Sequence, residues 1–98
     1  MGNSLKSARF LIESRLRDAV RGDAQACYDL GIVYSSGADG VDVDLIEAHK
    51  WFNIAAMGGS GEAQMCRAEI AEDMTAREII TAQRAARDWM IATQSRAA

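Results

Sequence analysis

Gly22 to Gly59 reads GDAQACYDLGIVYSSGADGVDVDLIEAHKWFNIAAMGG, and the reading of this stretch decides the fold. Two helical runs flank an acidic, glycine-rich turn, Ser35 to Val41. The first run extends from Asp23 to about Ser35. Its apolar stripe is Ala26, Leu30, Val33 and Tyr34, with Cys27 and Gly31 at the edge. Tyr28 and Ile32 stand four apart and lie off that stripe. Asp44 is placed to cap the second run, which extends to about Met57. Leu45, Ala48, Trp51, Phe52 and Ala55 form its main stripe. Ile46, Ile54 and Met57 fall outside it, so this helix is expected to pack on more than one side. Ala26, Gly31, Ala48, Ala55 and Ala56 are small enough for two helices to approach closely.

Outward from this unit, Ser4 to Arg21 reads as a helix with Leu5, Ala8, Ile12, Leu16, Ala19 and Val20 on one face. Gly22 fits its C-terminal cap and Asp23 the N-cap of the next helix. Downstream, Gly58-Gly59-Ser60-Gly61 reads as a break. A helix is expected from Glu62 to about Asp73. Thr75-Ala76-Arg77-Glu78 fits a capping box, in which hydroxyl and carboxylate each satisfy an orphan amide. It opens a last helix to about Ala92, with Ile79, Ala82, Ala86, Trp89 and Met90 on its apolar face. Arg84 and Asp88 fit an exposed i, i+4 pair. Thr93 to Ala98 reads as a frayed tail.

The pattern is all-α with five helices in one domain, residues 1–98. Composition agrees: there is no proline, and 49% of the 98 residues are apolar. The net charge of −3, with arginines scattered among acids, argues against a nucleic-acid partner. No apolar run reaches membrane-spanning length. The charged, amphipathic N-terminal stretch lacks the apolar core of a secretory signal. Lys6 stands where a myristoylation motif needs Ser or Thr. Cys27 and Cys66 fit neither a disulfide framework nor a CxxC site, and read as free thiols in a reducing cytoplasm.

The unit recurs. Gly22-Asp23-Ala24-Gln25-Ala26 aligns with Gly59-Ser60-Gly61-Glu62-Ala63, and Glu47-Ala48 with Thr81-Ala82. A period in the thirties with a helix pair per period is the signature of an α-solenoid. Gly22, Ala26, Leu30-Gly31, Tyr34, Gly37, Gly40-Val41, Asp44, Ala48, Trp51-Phe52, Ala55-Ala56 and Gly59 resemble the Sel-1-like repeat, a relative of the tetratricopeptide repeats. The turn holds one residue more than the family's Gly-x-Gly-Val. The resemblance covers one full repeat, residues 22–58, preceded by a helix at 4–21. Residues 59–92 resemble a degenerate terminal repeat with a capping helix: Arg67-Ala68 replace Leu-Gly and Ala71 replaces Tyr. The resemblance implies a short α/α solenoid of antiparallel helices that binds another protein and performs no catalysis.

It also implies a site. In tetratricopeptide-type solenoids the first helix of each pair lines the concave groove. Carried over, this gives Gln25, Tyr28, Ile32 and Ser36 from one unit and Glu62, Met65, Glu69 and Asp73 from the next. The acids of the fourth helix, Glu72 included, read otherwise as a solvated face. If they line a groove, the bound segment is basic with an apolar anchor. Other candidates are weaker. Asp39, Asp42 and Asp44 lack the ligand order of a Ca²⁺ loop. His49, the single histidine, has no nucleophile or carboxylate placed beside it and reads as a surface or half-buried residue. Trp51 and Phe52 read as core. No cofactor is expected. Cysteine-rich members of the family have been linked to β-lactam hydrolysis, but they carry paired cysteines where this chain has Ala55-Ala56, and no Ser-x-x-Lys motif is present. Phe10 lies opposite the apolar face of the first helix. It suits an oligomer contact, giving a homodimer as the alternative to a foreign partner.

Overall fold

A computed structural model describes residues 3–97, with side chains from 7 to 94. The expected contact of Leu5 and the end of the tail, Ala98, lie outside those side chains. Five helices are formed: α1 Asn3–Val20, α2 Ala24–Ser36, α3 Leu45–Met57, α4 Gly61–Ala71 and α5 Ala76–Ala97. A 3₁₀ turn, Ala38–Gly40, sits between α2 and α3. No helix among the described residues is long and apolar enough to cross a membrane.

The helix ends follow from local chemistry. The carboxylate of Asp23 accepts from the amides of Gln25 and Ala26, and that of Asp44 from Glu47. At the start of α5, the Thr75 amide donates to Glu78 Oε1 at 2.8 Å, and the Glu78 amide to Thr75 Oγ1 at 3.1 Å. This is the expected capping box. One tight turn occurs twice. After α1, the Gly22 amide bonds Ala19 O and the Asp23 amide bonds Asp18 O. After α3, the Gly59 amide bonds Ala56 O and the Ser60 amide bonds Ala55 O. Both are Schellman closures around a left-handed glycine, with φ of 90° at Gly22 and 104° at Gly59. In each, the residue after the glycine caps the following helix at once. Ser60 therefore belongs to a start as well as a break: its hydroxyl accepts from the Ala63 amide.

The C-terminal tail departs from expectation, because α5 continues to Ala97. Residues 93–97 hold no glycine or proline to stop a helix, and Thr93 Oγ1 bonds back to the carbonyls of Trp89 and Met90.

α3 is the central helix. It packs on α2, α4 and α5, while α1 packs on α2 and the 3₁₀ turn. Its three contacts account for the apolar residues outside its main stripe. Trp51, Phe52, Leu30 and Cys27 are the largest fully buried side chains. Alanines let the helices close around them: Ala48, Ala55, Ala63 and Ala82 are wholly buried. Gly31 serves the same end against α3, where the atoms nearest to it belong to Phe52. A Cβ there would collide with the ring of Phe52. The helix α5 lies on α3 through its expected face, with Trp89 against Trp51.

Candidate protein-interaction surface

On α2, the residues turned from the core are Gln25, Ile32 and Ser36, all exposed. Their register is fixed by the opposite stripe, Ala26, Leu30 and Val33, which is buried. Asp29 flanks this ridge. Its carboxylate is held by Arg15 Nε of α1 at 2.9 Å and by Gln25 Nε2 at 3.0 Å. The Ser36 hydroxyl turns back to Ile32 O at 2.7 Å, which leaves Ile32 as the apolar feature at that end.

Tyr28 joins α2 to α4. Its ring is half-buried and tilts against Phe52, with centroids 5.8 Å apart. Its hydroxyl is held above the usual tyrosine range by burial first, and further by Cys66 and Glu62 of α4. Tyr28 is thus a wall of the surface and not a freely exposed side chain. Gln25 and Glu62 line one shallow hollow of about 310 Å³ between the starts of the two helices, with Ala24 and Gly58 to Gly61. The structure therefore brings together Gln25, Tyr28 and Glu62.

The rest of the α4 side is open. Met65 is 74% exposed, and Glu62, Glu69, Glu72 and Asp73 are all exposed. Among the described residues the ion pairs are Arg15–Asp29 and Lys50–Glu47, so none of these acids is paired. The one cation of α4, Arg67, points elsewhere and donates to Asn53 Oδ1 of α3. The α4 side therefore offers carboxylates in no ion pair among the described residues, with exposed Met65 among them, while exposed Ile32 stands on the outer ridge of α2. Ser36 and Asp73 are in contact with none of the other candidate residues through a hydrogen bond or an ion pair, apart from the Ser36–Ile32 bond.

His49 and the Arg84–Asp88 pair fall differently from their sequence reading, whereas Asp44 and Phe10 fall as expected. His49 is buried, 3% exposed, with Nδ1 lacking a partner. Burial holds its pKa below the ordinary value, and the nearby Arg67 charge adds to this. Arg84 and Asp88 are both exposed but form no ion pair. Asp44 is spent on the α3 cap. Phe10 is 68% exposed, as its place on the wheel implied.

Sequence reasoning missed an apolar groove of about 380 Å³ between the ends of α1, α3 and α5. Val20, Ile54, Met57, Trp89 and Met90 line it, and Cys27 forms part of its floor. The signal was present: Ile54 and Met57 lie outside the main stripe of α3. Burial and Asp23 push the Cys27 thiol up to about 11, so it is a packing residue without nucleophilic character at neutral pH.

Scanned against family models, curated proteins and solved structures, the chain matches none of them.

Proposed function

We propose that this chain is a non-catalytic protein-interaction module, a short solenoid of the Sel-1-like type, whose α2–α4 surface receives a basic segment with an apolar anchor. One observation carries the reading: exposed Glu62, Met65 and Glu69 lie on α4 and exposed Asp73 just after it, and Tyr28 joins α4 to α2, whose outer ridge carries exposed Ile32. Exposed acids on a helix are ordinary, but their company with the large apolar side chains Ile32 and Met65 is what a recognition surface needs. The recurrence of the same closure-and-cap turn before α2 and before α4 supports units at 22–58 and 59–92. Free Cys27 and Cys66 fit a cytoplasmic setting. No cofactor enters the reading.

Affinity capture with the full chain tests it, with Glu69→Lys/Asp73→Lys in parallel. The reading expects a protein held by the first and lost from the second. Equal retention by both would put the site elsewhere.

A second reading is favoured by Phe10, a large aromatic exposed on the outer face of α1. It makes the chain a two-fold dimer through α1. Light scattering on the wild type and on Phe10→Glu tests it: a monomeric wild type rejects the dimer, and an unchanged dimer in the variant moves the interface away from Phe10.

A further inference from the structure

The helix α5 carries a second stripe that the core does not use. Ile80, Arg84, Arg87 and Ile91 are spaced as one helix face, and all four are exposed. Ile80 is 54% exposed and Ile91 57%. The helix spends its other face on α3, through Ala82, Ala86 and Trp89. Neither arginine has a carboxylate partner among the described residues, and Asp88 lies at the stripe's flank without reaching Arg84. The result is two free cations bracketed by two branched aliphatic side chains. A lone exposed isoleucine means little. Two that bracket a pair of arginines at helical spacing fit the segment proposed for the α2–α4 surface, one that is basic with an apolar anchor.

We propose that the Ile80–Arg84–Arg87–Ile91 stripe docks on the α2–α4 surface of a second copy of this chain. This rests on the reading of that surface as a binding face and names its occupant. Arg84 and Arg87 meet Glu69, near the end of α4, and Asp73, in the turn that follows it. Ile80 and Ile91 meet the apolar side chains Ile32 and Met65. The stripe and the surface lie on different helices, so each copy offers one of each. Such a contact is heterologous and propagates head to tail into short linear assemblies unless it closes a ring. It does not use Phe10.

Sedimentation velocity on the full chain tests this over a concentration series, at about 50 mM and about 500 mM salt, where screening differs strongly. The wild type should grow with concentration at low salt and dissociate at high salt. Arg84→Glu/Arg87→Glu alone and Glu69→Lys/Asp73→Lys alone should each weaken association at least roughly tenfold, because like charges then face each other. The chain carrying all four changes should regain it. Phe10→Glu should associate as the wild type does. Phe10, Glu69, Arg84 and Arg87 are exposed helix sites and Asp73 is an exposed turn residue, so all tolerate Glu or Lys, and circular dichroism verifies that each variant is folded. A wild type that stays monomeric at low salt, a folded four-fold variant that stays monomeric, or loss of assembly in Phe10→Glu overturns the inference. A fluorescent peptide with alternating arginines and leucines separates this from the broader reading. A monomeric wild type that still binds the peptide rejects only the self-docking. One that binds neither rejects both.

Discussion

The indoles of Trp51 on α3 and Trp89 on α5 meet edge to face, with centroids 4.9 Å apart and planes at 72°. Lys50 Nζ stands 4.5 Å from the Trp51 ring centre and 5.7 Å from that of Trp89. Glu47 Oε1 accepts from both Trp51 Nε1 and Lys50. This cluster attaches α5, which otherwise has a short apolar face built mostly of alanine. Trp89→Ala should cost about 2–3 kcal/mol, at or just below the lower end of the range for truncating a fully buried aromatic, because the ring is half-buried. Urea denaturation measures it, and a loss under about 1 kcal/mol would show that α5 is held by other contacts.

Gly31→Ala should destabilise, although alanine is favoured over glycine in a helix by about 1 kcal/mol. The added Cβ meets the Phe52 ring, which is 1% exposed and has no room to withdraw. Overpacking of this kind costs on the order of 1–3 kcal/mol, and Gly31→Leu should cost more. Phe52→Leu in the Gly31→Ala background should recover part of the loss. Thermal melts decide: a raised midpoint for Gly31→Ala would mean that the position faces solvent.

His49 should make the fold acid-sensitive. Its folded pKa lies below the ordinary 6.5, from burial first and the Arg67 charge second. The unfolded chain therefore binds the proton more readily. Stability is full above about pH 6.5 and falls as the pH drops below it toward the folded value. Urea midpoints between about pH 7.5 and 5 should show this decline, and His49→Leu should flatten it. An equal decline in the variant would assign the effect to carboxylates.

Cys66 should react with a thiol reagent in the folded protein and Cys27 only after denaturation. Cys66 is half-exposed, whereas Cys27 is 2% exposed with its thiol pushed up to about 11. Mass spectrometry after brief alkylation reads the order. Equal labelling would mean that the groove floor opens readily.

What the sequence disclosed was what local chemistry decides. Asp23, Asp44 and the Thr75–Glu78 box cap their helices within three residues, so the starts of α2, α3 and α5 were readable. Ser60 was not, because three glycines around it read as a break, although the serine itself is a common cap. The end of α5 was set too early because the polar run 93–97 resembles a tail, yet nothing in it stops a helix. Non-local facts were out of reach. His49 is buried because α3 packs on three neighbours, and no wheel of one helix contains that. The wheel set Tyr28 and Ile32 off the core stripe, and the repeat resemblance added Gln25 and Ser36; Ile32 is exposed, but Tyr28 is half-buried because its junction with α4 is tertiary. The α5 stripe is hard to read from sequence because Ile80 and Ile91 stand among polar residues opposite the stronger apolar face of Ala82, Ala86 and Trp89.

The most direct measurement of the central claim is an amide chemical-shift titration of the labelled full chain with a basic peptide carrying apolar anchors. The claim predicts shifts confined to α2 and α4, around Tyr28, Ile32, Glu62, Met65, Glu69 and Asp73. They should shrink with salt and vanish in Glu69→Lys/Asp73→Lys. Shifts centred on the groove of Val20, Met57 and Met90, or a titration that moves no resonance, would contradict it.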